Sequence, residues 1–498
     1  MSHDTNATAR EPGTVPHAEQ ADRTAPAAHA PYARRWAMLP VLLAALFMTQ
    51  FDLYVVNVTA PSLAHDLGAG EAALELIVAG YGFSYASGLI TGGRLGDLLG
   101  PRTVFLAGVL AFTVASLLCG LAPTPGWLVA ARLLQGLAGA AMVPQVLALI
   151  TAAFPAAERA RALAWFGVTL GVGAVAGQVL GGALLQVDVL GLGWRVIFLV
   201  NVPLGLAALA FAPRLLPALR PGSRPGLDPL GAAGVSGSLA LVLVPLAMGR
   251  GEGWPVWCWV CLAAAAPAMA LTLRWERGVA RRGGQPLLEP SLLRNGVFVR
   301  GLLVCLGTFC SFFSFMFALT MVLQSGLGLS PLAAGATFTP LGVAFAGASI
   351  ASPRLAGRYG ARLVTGGTAI ACTGMLALFF VLQLSGEQTS VGRLLAPMVL
   401  IGFGNGMAVP ALTGVVLAGI GTGQAGAAAG VLTTSQQFSS AVGVAGVGTL
   451  FFAALGSRHG VGGYADALQW VAVSGFCLAL LACAASLLLP SPVKEKAT

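Results

Sequence analysis

Charged side chains are scarce in this sequence. Asp, Glu, Lys and Arg make up 9% of its 498 residues, against 57% hydrophobic residues. A soluble domain carries roughly 25% charge. The shortage excludes a soluble globular fold and points to an all-α chain that crosses a membrane many times, for which counting domains by length has no meaning. Lysine is nearly missing, with only Lys494 and Lys496. The histidines are His3, His17, His29, His65 and His459, all in the tail or in expected loops. No Ser–His pair, His–metal site or paired carboxylates can be assembled from the apolar segments. No G-x-x-x-x-G-K-[ST] phosphate loop occurs, so nothing here hydrolyses ATP. An enzyme is therefore a poor fit, and no cofactor or metal is expected. The eight cysteines lie nearly all inside apolar segments and form no disulfide framework. Even the pair Cys258 and Cys261 sits in an apolar stretch flanked by tryptophans and reads as packing.

What is abundant is apolar sequence in long runs, with 67 glycines that allow close helix packing. Spans of about 20 apolar residues are the unit to count. Fourteen are expected, near 37–60, 72–92, 103–122, 126–150, 161–185, 195–213, 229–249, 255–273, 300–324, 332–352, 362–384, 391–418, 428–455 and 467–489. Residues 1–36, rich in Ala, Thr, Pro and His, read as a disordered tail. The apolar run that follows is too long for a signal-peptide core and lacks a cleavage site, so it is expected to stay as the first span.

The net charge of +9 raises nucleic acid as a partner, but the arginines sit in short loops between spans. With the N-terminus inside, 22 of the 27 basic residues fall on the cytoplasmic side and four outside, leaving Arg132 within a span. That bias fixes both termini as cytoplasmic. A bacterial plasma-membrane protein without a nucleic-acid partner is expected. Trp36, Trp127, Trp194, Trp254 and Trp275 fall near span ends, as interfacial anchors do.

The chain also repeats itself. GRLGDLLGPR (Gly93–Arg102) is similar to PRLAGRYGAR (Pro353–Arg362), and GLAGAAMVP (Gly136–Pro144) to GFGNGMAVP (Gly402–Pro410). Two six-helix halves in parallel orientation explain both pairs. The expected organisation is an N-terminal half at 37–213, an inserted two-helix segment at 214–294, a C-terminal half at 295–489 and a short tail at 490–498.

FDLYVVNVTAP (Phe51–Pro61) puts Asp52 about mid-membrane. A carboxylate there costs roughly 2.5–3.5 kcal/mol on insertion scales, which marks it as functional. Asp52 shares a helical face with Thr49 and Thr59, while Gln50, Tyr54 and Asn57 lie on the opposite face. Both faces must meet protein or a water-filled cavity. Burial disfavours a carboxylate's charged form, so Asp52 can take up and release a proton within a cycle. Arg132 is always charged and needs a partner; Asp52 is the candidate, with Gln135 one turn on holding the network. A fixed structural pair is the alternative. Gln178 and Asn405 are further deep polar groups. Phe309, Phe312, Phe313 and Met316 form a stripe suited to flat apolar ligands or to plain packing. Glu75, near the outer end of the second span, is either a second entry acid or a solvated residue.

The arrangement resembles the major facilitator superfamily, in its fourteen-span drug:proton antiporter branch. GGRLGDLLGPR (Gly92–Arg102) is similar to the signature between helices 2 and 3, RLLQG (Arg132–Gly136) to that of helix 4, WRVIFLVNVP (Trp194–Pro203) to the start of helix 6 and FDLYVVNVTAP to helix 1. The resemblance implies alternating access, proton coupling through Asp52 and Arg132, and a latch between the halves built from Gly93, Asp97, Gly100 and Arg102. It departs at GQVLGG (Gly177–Gly182), where Gln178 stands in place of the antiporter motif's proline. The expected function is a monomeric secondary transporter exporting amphipathic, aromatic or cationic drugs or antibiotics against protons. The expected cavity residues are Gln50, Tyr54, Asn57, Gln135, Gln178, Phe309, Phe313 and Asn405. An importer of a specific small solute is the alternative; a non-transporting membrane sensor fits the intact signatures poorly.

Overall fold

A computed structural model describes residues 3, 32–69, 71–187, 191–218, 228–249, 251–284, 286, 291–418, 420, 425–458 and 460–490. Most of the tails expected at 1–36 and 490–498 lies outside these residues. Among the described residues the α-helices are α1 (Arg35–Leu67), α2 (Glu71–Leu99), α3 (Pro101–Gly120), α4 (Pro125–Ala153), α5 (Ala156–Val187), α6 (Val196–Leu199), α7 (Asn201–Leu215), α8 (Pro229–Met248) and α9 (Val256–Arg281). They continue with α10 (Gly296–Met321), α11 (Pro331–Thr337), α12 (Thr339–Tyr359), α13 (Arg362–Ser385), α14 (Val391–Ala418), α15 (Ala425–Leu455) and α16 (Gly460–Leu487), with no strand among the described residues. Among the described residues thirteen helical spans are long and apolar enough to cross a membrane, and α2, with 29 residues, is a further helix of that length.

Local chemistry starts the helices. Thr124 accepts a hydrogen bond from Trp127 N, Asp228 from Gly231 N and Ser330 from Ala333 N, each followed by proline at the first helical position. Asn295 caps α10 from its side chain. Two expected spans are interrupted. The sixth is a 3₁₀ turn (Gly193–Arg195), then α6 and α7, because Pro203 has no N–H for the Leu199 carbonyl. The tenth breaks at Phe338, with Pro340 in the first turn of α12. By contrast α5 runs unbroken through Gln178, where the antiporter motif has proline. Helix α1 runs on to Leu67, so His65 lies in its last turns and not in a loop.

The helices form two bodies. In the first, Leu42, Tyr81, Phe105, Phe112 and Met142 build one cluster, and Phe51, Val55, Trp194, Ile197 and Phe198 a second. In the other, Phe315, Phe338, Leu378, Ile401 and Phe451 build a core continued by Phe298, Val304, Leu363 and Leu412. The bodies meet where α5 packs on α11 and α12 and where α2 packs on α15. The hairpin α8–α9 lies outside this pair, with α8 against both α2 and α15. Large apolar side chains face outward, among them Leu110, Trp259, Leu384 and Leu481. In water such a surface would aggregate; in lipid it is solvated.

The arginines that break the apolar pattern gather at one end and tie its loops. Arg34 donates to the Arg214 carbonyl and Arg102 to that of Pro213, both at the end of α7. Arg35 pairs with Glu158 at 2.8 Å, and Trp36 Nε1 donates to the same carboxylate. The Arg35 hydrogen bond, with help from Trp36, holds the Glu158 carboxyl below the usual carboxylate range. Chain direction, span parity and these contacts agree on one arginine-rich face.

Candidate functional site

Asp52 and Arg132 meet. The Asp52 carboxylate on α1 and the Arg132 guanidinium on α4 are both fully buried, and Arg132 Nη1 donates to Asp52 Oδ2. Two amides complete the cradle: Gln135 Nε2 donates to Asp52 Oδ1 at 2.9 Å and Asn201 Nδ2 donates to the same oxygen at 3.1 Å. Arg132 also donates from Nε to the Ile77 carbonyl at 3.1 Å and from Nη1 to Gln135 Oε1 at 2.9 Å. Its guanidinium lies 4.4 Å from the Tyr81 ring centroid, and Gln135 is tied to Ser116 Oγ at 2.8 Å. A buried ion pair persists only when its remaining donors and acceptors are met. Here two atoms of the cradle, Arg132 Nη2 and Asn201 Oδ1, are buried without a hydrogen-bond partner.

Asn201 was not among the expected site residues. It is the first residue of α7, inside the WRVIFLVNVP segment, and its side chain reaches Asp52 on α1. Gln135, expected both in the Asp52 network and on the cavity wall, stands in the network and does not line the cavity. It lies one turn from Arg132, hence on the same face of α4 and turned into the first body.

The opposite face of α1 meets a cavity between the bodies. It is narrow in this conformation, with a volume of about 50 Å³, and it is partly open to the outside. Gln50 contributes from α1, and Leu170, Gly171, Ala174 and Val175 from α5. The other body contributes Thr308, Phe309, Phe312, Phe313 and Met316 from α10, Leu341 and Phe345 from α12, Asn405 and Val409 from α14, and Gln436 and Gln437 from α15. Tyr54 lies at its edge, stacked on Phe313 with centroids 5.5 Å apart and planes within 7°. Phe312 lies 6.1 Å from Phe345, so aromatic faces recur along the wall.

Gln50, Phe309, Phe313 and Asn405 thus come together as cavity residues. Gln178, expected with them, does not line it: two turns beyond Gly171, its backbone abuts Gly335 of α11, where the bodies close over the cavity. The Asn57 and Glu75 side chains lie outside the described residues. Thr308, Phe345, Gln436 and Gln437 were not expected. The SQQF stretch (Ser435–Phe438) holds two adjacent amides inside a span, a signal available in the sequence and passed over.

At the arginine-rich end, Gly100 has φ 87° and caps α3, a conformation open to glycine. Gly360 holds the matching place before α13 with φ 56°. Asp97 faces Arg94 one turn earlier, at 3.8 Å, while Arg102 takes the Pro213 carbonyl at 2.7 Å. Gly93 has room for a Cβ; the glycines that admit α4 closely are its neighbours Gly92 and Gly96.

Two helical bodies closing over an uncharged cavity, with an ion pair buried beside it, define a polytopic membrane transport fold. The chain belongs to the Major Facilitator Superfamily, whose family profile matches residues 42–444. It is 39% identical over 429 residues to the probable actinorhodin transporter of Streptomyces coelicolor, covering 86% of this chain and 74% of that protein. It is 35% identical to the puromycin resistance protein of Streptomyces alboniger, covering 85% and 83% of the two chains. Among solved structures, the proton:xylose symporter of the same superfamily superposes with a TM-score of 0.64 at 14% identity, over 92% of this chain and 96% of that one. The last likeness concerns the fold alone.

Proposed function

We propose that the protein exports amphipathic, aromatic or cationic drug-like compounds, antibiotics among them, in exchange for protons, from a bacterial cytoplasm in which both its termini lie. One observation carries this reading: the buried Asp52 pair and the cavity residue Gln50 sit on opposite faces of α1, two residues apart. A change of charge at Asp52 is thereby passed to the cavity wall through one rigid helix. Compound binds while Asp52 is ionised and held by Arg132, Gln135 and Asn201. The bodies rock, Asp52 becomes accessible, and its protonation releases Arg132 and favours the return. Asp52 has no solvent exposure in the present conformation, so proton exchange belongs to another state of the cycle. The loop at Gly93, Asp97, Gly100 and Arg102 serves as the latch at the cytoplasmic end. The relatives named for actinorhodin transport and puromycin resistance support the substrate class.

The test is efflux of the neutral fluorescent probe N-methylacridone from proteoliposomes with an imposed pH gradient, comparing wild type with Asp52→Asn. Gradient-driven transport by the wild type, lost in the variant, is expected. Full gradient-driven transport by Asp52→Asn would make the carboxylate structural and move the proton site elsewhere. Uptake of a small polar solute with no efflux of any dye would favour the importer.

A further inference from the structure

Among the described residues, the cavity wall carries no charge. Every side chain that lines it is apolar, a hydroxyl or a carboxamide. The acid on α1, Asp52, is turned the other way and already accepts from Arg132, Gln135 and Asn201. A cation entering this space sheds its hydration and finds no carboxylate to replace it. Aromatic faces return only part of that loss. An anion fares no better, since no arginine or lysine lines the wall among the described residues.

Among the described residues, one polar atom at the wall is short of a partner, and carboxamides stand beside it. Thr308 is 5% exposed, and its hydroxyl is buried without a hydrogen-bond partner. Asn405 uses Nδ2 on the Ile401 carbonyl of its own helix at 2.8 Å, and no further side-chain bond of Asn405 is formed among the described residues. Gln50 and Gln436 are 5% and 9% exposed. A buried polar group left unpaired is costly, so a ligand that satisfies these groups is favoured over one that covers them with hydrocarbon. Between them stand Phe309, Phe312, Phe313 and Phe345, whose faces take a flat ring system.

We propose that this cavity selects uncharged, planar polycyclic compounds with hydrogen-bonding groups on their edges, and that Thr308, Gln50, Asn405 and Gln436 determine that specificity. The proposal rests on the export reading and narrows it, excluding the cationic compounds which that reading admits.

Two fluorescent three-ring probes of nearly equal size test it: N-methylacridone, which is neutral, and N-methylacridinium, which is a permanent cation. Anisotropy titrations of purified full-length protein at pH 8 should show the neutral probe bound about tenfold more tightly or better. Thr308→Val and Gln436→Leu should each weaken the neutral probe about fivefold. Gln436→Glu, which supplies the missing countercharge, should raise cation affinity to at least that of the neutral probe. This gain keeps the test decisive if a loss variant misfolds. Equal or tighter binding of the cation by wild type, or no saturable binding of N-methylacridone, overturns the proposal. Proteoliposome transport separates the two readings. Gradient-driven movement of the cation by wild type would sink the selectivity and leave export standing. Selective binding without gradient-driven movement of either probe would leave the selectivity and remove export.

Discussion

Arg132 and Asp52 illustrate how little a buried charge can be read alone. Either one in an apolar span is an anomaly that the sequence displays openly, because ordinary membrane helices exclude both. The amides that complete their cradle carry no such flag. An asparagine or glutamine in a span is common, and Asn201, on a helix distant in sequence from α1, is brought to the carboxylate only by the packing of α7. The charges were therefore legible from sequence, and so was Gln135 through its spacing from Arg132, whereas Asn201 was not. At the cavity, Thr308 became visible only once α10 was placed. The energetic consequence is testable. Arg132→Leu leaves a buried carboxylate without its cation and should lower the unfolding free energy in detergent by about 3–5 kcal/mol. Adding Asp52→Leu should recover most of that loss, because removing both charges of a buried pair is far milder than removing one. A double variant as unstable as Arg132→Leu alone would show that Asp52 is not the charge Arg132 serves.

At the scale of the helix, close approach decides what moves. Where α5 meets α11, a Cβ added at Gly335 would lie 2.8 Å from the Gln178 carbonyl oxygen, nearer than side chains approach backbone. Further along, a Cβ at Gly342 would meet Val175 at 2.8 Å. The seam over the cavity thus depends on the absence of side chains, and neither helix can rotate to make room without losing its own core. Gly335→Ala should force the bodies apart at this end. The expected cost to thermal stability is about 1–3 kcal/mol, with slower gradient-driven transport. Unchanged transport and stability would mean that the α5–α11 contact is compliant and not a closing surface. The helices themselves were legible, because length and hydropathy alone mark a span. Their interruptions were not, since proline in a membrane helix is often tolerated and the sequence does not say which carbonyl will be given up. The unbroken α5 is the converse case: Gln178 supplies the N–H that the motif's proline lacks, and the helix continues.

For the whole molecule, the inserted hairpin raises the last question, since sequence assigned α8 and α9 no role. The structure places α8 across the seam. Ser236 Oγ donates to the Ser87 carbonyl of α2 at 2.9 Å, and Val235 and Leu239 cluster with Ile90 of the same helix. Val431 and Phe438 of α15, in the other body, pack against that cluster. One side of α8 is thus pinned by a hydrogen bond, and the other is held, among the described residues, by apolar contact, which carries no directional bond to break when surfaces slide. If the bodies rock, α8 should travel with α2 and slide on α15. Cysteine pairs test this in a background freed of the eight native thiols. A bifunctional methanethiosulfonate joining Val235→Cys to Val431→Cys should abolish gradient-driven transport, and its reduction should restore it. The same reagent joining Val235→Cys to Ile90→Cys should leave transport unchanged, because both residues belong to one moving body. The reverse pattern would attach the hairpin to the second body. Transport surviving both cross-links would place the moving surface elsewhere, at the α5 seam, and leave α8 and α9 as passive filling against the lipid.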